Sequence, residues 1–176
     1  MAGLHAVTVP VLLRYLRQLD GLMQRLDAFA QEGEHDEEAL LATALAEDMF
    51  DLRRQVLIAA NFSVRALKPV APALAALGPA EGARIADLRL RIAERIAALS
   101  ALDPAAIDAA ERLPASERAG EALVEADALT FATAYALPNF FFHLTSAYAI
   151  LRHLGVPVGK PDFDGFHAYP PGFRFV

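Results

Sequence analysis

The chain has 176 residues, 55% hydrophobic and 22% charged, a globular balance that excludes wholesale disorder. It contains no cysteine, which excludes disulfides, thiolate metal sites and a cysteine nucleophile, and is compatible with a reducing cytoplasm. A formal net charge of −6 and a pI near 5.3 argue against a general attraction for nucleic acid.

The length suits a single domain over residues 1–176, and the wealth of alanine and leucine makes helix the prior. At the N-terminus Arg14, Arg17 and Asp20 interrupt the apolar residues early, so neither a signal peptide nor a membrane span is expected; the cytoplasm is the default location. Over residues 7–31, Leu12, Leu16, Leu19, Met23, Leu26 and Ala30 recur at steps of three and four and predict a first amphipathic helix. Gly33 closes it, and Asp36 is positioned to cap a short following turn. A second helix is predicted from about Asp48 to Lys68, stopped by the prolines of "PVAP".

A third carries Ile85, Leu88, Ile92, Ile96 and Leu99 on one side. Residues 103–127, broken by Pro104, Pro114 and Gly120, read as a long crossover with a short helix and no strand. The fourth helix runs from about Thr130 to Leu154. Pro138 either kinks it or marks its true start, and Gly155 ends it. The tail, about 156–176, is rich in glycine, proline and aromatics and is expected to pack on the helices or on a partner. Four amphipathic helices with one long connection describe an all-α four-helix bundle.

Advancing each helical residue by about 100° places the polar groups. Asn139, Phe140, His143, Ala147, Ile150 and Leu154 form the inward stripe of the fourth helix. On the second helix Asp48 and Gln55 fall on the inward half beside Leu52, Ala59 and Phe62, while Arg54, Asn61 and Arg65 face out. Polar groups from two helices thus converge on one interior, where an unpartnered group costs roughly 1–3 kcal/mol. Asn139 and His143, one turn apart, have the spacing with which helices bring two ligands to one ion.

Three readings stand for His143: a member of a buried polar network with Asn139 and Gln55, a wall of a small-molecule pocket, or a metal ligand. As the one histidine on the buried stripe it is the candidate for proton transfer near neutral pH, with Asp48 to orient it. Phe140, Phe141 and Phe142 point in three successive directions. One lines the core and the others meet the tail, another helix or a second subunit. Tyr148 and Arg152 lie toward the outer side, as a solvated pair or as an interface or anion contact. Tyr15 is placed to reach the interior. His5, His35 and His167 carry no pattern, and "EGEHDEE" reads as a solvated acidic loop. Glycine-rich phosphate loops, nucleophile elbows and zincin pairs do not occur.

"ALPNFFFHLTSAYAILRHLGVPVGKPDF", with "DMFDLRRQVLIAANF", resembles an uncharacterised bacterial domain-of-unknown-function family grouped with the DinB/YfiT-like metalloenzymes. The resemblance implies a four-helix bundle with a long crossover before the last helix, and a homodimer. In the wider superfamily it further implies thiol-dependent transfer or isomerisation at a divalent metal held by three histidines. His143 matches the later of the paired histidines on the fourth helix, Asn139 the earlier one, and Gln55 the second-helix position. Two of the three ligands are therefore amides, which bind zinc or nickel far less well than imidazole. The resulting expectation is a small bundle with an interior polar pocket or degenerate metal site that binds a small molecule or supports metal-assisted chemistry. The alternative is a non-catalytic dimeric scaffold or partner-binding module that has lost the metal.

Overall fold

A computed structural model describes residues 2–170 and 172–173. The leucine stripe of the N-terminal segment folds as α1 (Leu4–Glu32), with Leu12, Leu16, Leu19, Met23 and Leu26 fully buried. Gly33 follows it, and the His35 ring stacks on Phe29 at 4.6 Å. Asp36 caps α2 (Glu37–Leu41) as expected, its Oδ1 accepting the Glu38 N–H at 3.1 Å.

The next helix, α3 (Leu52–Arg65), starts later than the sequence pattern predicts. Asp51 has extended φ and ψ of −66° and 168°, and its Oδ1 accepts the Arg54 N–H at 2.8 Å. A carboxylate in that conformation fixes a helix start, because it satisfies an otherwise orphaned N–H group. Asp48 therefore lies outside the helix, in an exposed turn, and its expected place on the inward face beside Gln55 is corrected. The chain turns through residues 66–70 and forms the short α4 (Pro72–Ala75) before α5 (Ile85–Ser100). Ile85, Leu88, Ile92 and Leu99 bury the predicted face of α5.

The crossover holds the short helix, α6 (Pro104–Ala109), capped by Asp103. It also holds an antiparallel hairpin, β1 (Pro114–Ala119) and β2 (Ala122–Asp127), where no strand was expected. Ala119 pairs with Ala122, so Gly120 and Glu121 form a two-residue turn in which Gly120 takes φ 59°. Positive φ at the first of two turn residues suits glycine and matches strand twist. The alanine- and glutamate-rich strands have helix-favouring composition, and few of their residues are buried. Turn chemistry outweighs propensity here.

Asp127 then caps α7 (Ala128–Thr130), accepting the Thr130 N–H at 2.7 Å. The chain stays helical through a π-helical stretch, Phe131–Ala136, into α8 (Leu137–His153). This resolves the two roles open to Pro138. A proline ring in a regular helix collides with the carbonyl four residues back, here that of Ala134, and a wider turn immediately upstream accommodates it. α8 packs chiefly on α3, and α1 on α5.

Beyond Gly155, which takes φ 85°, the chain forms α9 (Lys160–Asp164) and lies against α1. Phe163 meets Tyr15 at 5.8 Å and Tyr148 at 5.4 Å, and Arg14 stands 3.8 Å over the Phe166 ring. The described part of the tail thus packs on its own helices, while residues 174–176 lie outside the described range. Among the described residues no helix is long and apolar enough to cross a membrane.

Candidate functional site

The three consecutive phenylalanines of α8 separate as their directions require. Phe140 is fully buried, Phe141 sets its ring edge-on to Tyr15 at 4.8 Å, and Phe142 is 58% exposed. Tyr15 accordingly reaches the helix interface, as its place on α1 suggests. His143 follows on the face toward α3 and is 8% exposed. Its Nδ1 is 2.7 Å from Oε1 of Gln55, a residue 1% exposed in the first full turn of α3. The Gln55 amide is oriented by its other end, since Nε2 donates to the Phe50 carbonyl at 3.2 Å. Oε1 is therefore the acceptor, and the imidazole carries its proton on Nδ1.

Nε2 is left with its lone pair. It has no hydrogen-bond partner among the described residues, and it is not among the fully buried polar atoms without one, so it keeps contact with solvent. Aromatic rings frame it. Phe62 stacks on the imidazole at 5.8 Å and 15°, Phe142 meets it edge-on at 5.1 Å, and Phe50, 46% exposed, lies 6.4 Å away. The Arg65 guanidinium sits 4.3 Å from the Phe62 ring centroid and pairs with Glu117 of β1.

Burial in this apolar frame, helped by the positive charge of Arg65, pushes the His143 pKa down to about 4. The ring is neutral at pH 7, and a base this weak is poorly matched to proton abstraction there. The expectation of an imidazole titrating near neutrality is thus corrected, because desolvation disfavours its charged form.

The structure joins Gln55 and His143, as the helix faces predict, and leaves the other two candidates apart. Asn139 is half-buried, and its Nδ2 donates at 2.7 Å to the carbonyl of Tyr135, one turn back on its own helix. Asp48 is on the exposed turn before α3. Among the described residues no group of three or more His, Cys, Asp or Glu side chains is placed to hold a metal ion. The Gln55 oxygen is already occupied by the histidine proton and the Asn139 amide is turned to the backbone. One imidazole and two engaged amides do not fit a three-histidine metal centre.

Sequence reasoning missed the roles of Phe50, Arg65 and Glu117. The sequence pattern runs Phe50 into an overlong helix and turns Arg65 outward, and Glu117 sits on a strand that composition conceals.

A DinB family member protein from Shewanella denitrificans, known from a crystal structure at 1.83 Å resolution, matches with a TM-score of 0.82 and 32% identity, over 95% of this chain and 94% of that one. Residues 4–164 match the family described as a domain of unknown function, DUF1993, and the chain belongs to that family. Comparison with curated proteins gives no match.

Proposed function

We propose that the protein is a DinB-like four-helix bundle, built on α1, α3, α5 and α8, that binds a small ligand at His143 without a resident metal. One observation carries this reading. Gln55 Oε1 accepts the hydrogen bond from Nδ1–H and leaves the Nε2 lone pair in contact with solvent among Phe50, Phe62 and Phe142. A flat apolar molecule bearing an O–H or N–H suits that mouth, its body against the rings and its donor on Nε2. The depressed pKa supports hydrogen-bond acceptance over acid–base catalysis.

The test uses protein purified without an affinity tag, analysed for metal and then titrated with phenol as the minimal probe. Long-range nitrogen–proton NMR of labelled histidine is expected to report the Nδ1–H tautomer and a saturable movement of the His143 Nε2 signal. An unmoved signal removes the binding point. Stoichiometric divalent metal that vanishes in His143→Ala restores the metalloenzyme reading instead.

A second reading is favoured by the exposure of Phe50 and Phe142, 46% and 58%. Rings of that size are ordinarily covered, and a second copy of the chain meeting this face makes a homodimeric scaffold. Solution mass at micromolar concentration tests it. A dimer that becomes monomeric in Phe142→Ser supports the scaffold, and a wild-type monomer overturns it.

A further inference from the structure

Three polar side chains hold the connection between α4 and α5. Asn61 Oδ1 accepts the Ala80 N–H at 2.7 Å, Lys68 Nζ donates to the Leu77 carbonyl at 2.9 Å, and Arg95 donates to the Gly78 carbonyl at 2.8 Å. Arg65 and Arg95 both stand close enough to Lys68 to oppose its charge, so three cations gather here. Two of them are matched. Arg65 pairs with Glu117, and Arg95, 2% exposed, pairs with Glu94 at 2.9 Å.

Lys68 is the cation without a match. It is half-buried and has no carboxylate partner among the described residues. Burial, with the two guanidinium groups, pushes its pKa below the ordinary lysine value. A partly desolvated ammonium is unfavourable without a counter-charge, and the Leu77 carbonyl offers only a dipole.

That ammonium opens on empty space. Asn61, Arg65, Lys68, Pro79 and Glu117 line a cleft of about 340 Å³, and an adjoining one of about 400 Å³ shares Arg65, Lys68 and Glu117 and adds Ser116. Both volumes lie in the range of small-molecule sites. The Asn61 oxygen is taken by Ala80, so Nδ2 is what the amide offers the cleft, and it has no partner among the described residues. Two cations face one carboxylate there, itself held by Arg65, in a chain of net charge −6. Donors set on several sides of one space suit a tetrahedral oxyanion better than a planar carboxylate.

We propose that these two clefts form one binding site for a phosphate group, free or carried by a small monoester, which supplies the counter-charge of Lys68 and takes further donors from Asn61, Arg65 and Ser116. It does not rest on the His143 mouth, whose lone pair calls for a donor and not an anion.

Lys68 and Lys160 are the chain's two lysines, so lysine labelled with carbon-13 at Cε gives two side-chain signals in the full chain. Inorganic phosphate is expected to move the Lys68 signal saturably and to raise the pKa it reports, while chloride at equal ionic strength does neither. Calorimetry is expected to show one phosphate per chain, weakened about tenfold in Lys68→Gln, held within about threefold in Lys68→Arg and unchanged in Lys160→Gln. Phenyl phosphate binding more tightly than inorganic phosphate assigns the adjoining cleft to the body of an ester, and equal affinity assigns the site to the free ion. Should Lys68→Gln fail to fold by circular dichroism, the Lys68 signal of the wild type decides alone. A Lys68 signal unmoved by phosphate, or moved equally by chloride, overturns the proposal. Affinity unchanged in a folded Lys68→Gln, or lost in Lys160→Gln instead, overturns it as well.

Discussion

His143 donates its Nδ1 proton to Gln55 Oε1 across 2.7 Å, joining two helices through residues 88 positions apart. Gln55→Leu removes the acceptor and leaves that N–H facing an apolar neighbour. A loss of roughly 1–3 kcal/mol is expected, read as a lower urea midpoint at unchanged slope. Gln55→Glu places a carboxylate in the same spot, and its expected signature is a higher His143 pKa in an NMR titration.

Acid weakens this pair through the imidazole. The folded-state pKa is pushed down to about 4 from an unfolded value of 6.5, so the unfolded chain binds the extra proton first. Stability from this group is complete above the unfolded value and falls as pH drops from about 6.5 toward 4, by up to about 3 kcal/mol at 1.36 kcal/mol per pKa unit. Urea unfolding of wild type and His143→Gln at pH 7 and at pH 4.5 isolates it. The wild type is expected to lose more on acidification than the variant.

The two aspartates before α3 separate by role. Asp51→Ala deletes the cap on the Arg54 N–H and is expected to cost about 1 kcal/mol. Asp48→Ala, on an exposed turn, is expected to change stability by less than about 0.5 kcal/mol. Equal losses in thermal unfolding would return Asp48 to the helix.

Gly120 is the glycine that the hairpin requires. With φ at 59°, Gly120→Val forces a β-branched residue into a left-handed backbone. Hydrogen exchange is expected to rise across 114–127 while the α3–α8 interface stays protected.

The helices carrying the apolar stripe were legible in sequence because burial at a spacing of 3.6 residues leaves a periodic trace, and Leu12 to Ala30 or Ile85 to Leu99 show it plainly. The Gln55–His143 meeting followed from the same geometry, since both side chains point inward on neighbouring helices. Asn139 was misplaced for a local reason: Pro138 and the wider turn before it leave a short amide a backbone carbonyl nearer than any ligand. Asp48 failed because propensity does not mark a helix start, whereas the Asp51 side chain does. The hairpin was hidden by alanine and glutamate, since its packed face is only Ala115, Val124 and Ala126, too small and too short a stripe to show a period of two. The depressed pKa of His143 was beyond sequence reasoning, because it depends on how closely Phe62, Phe142 and Arg65 gather round one ring.

The π-helical stretch Phe131–Ala136 lies just ahead of Pro138 in the last rod. Its i→i+5 turns hold about one residue more per turn than an α-helix, so shortening the stretch by one residue would let it close as regular α-helix with the flanking segments in nearly the same phase. What would be lost is room: the Pro138 ring would then press on the Ala134 carbonyl. The extra residue is a spacer that lets one rod run unbroken through a proline.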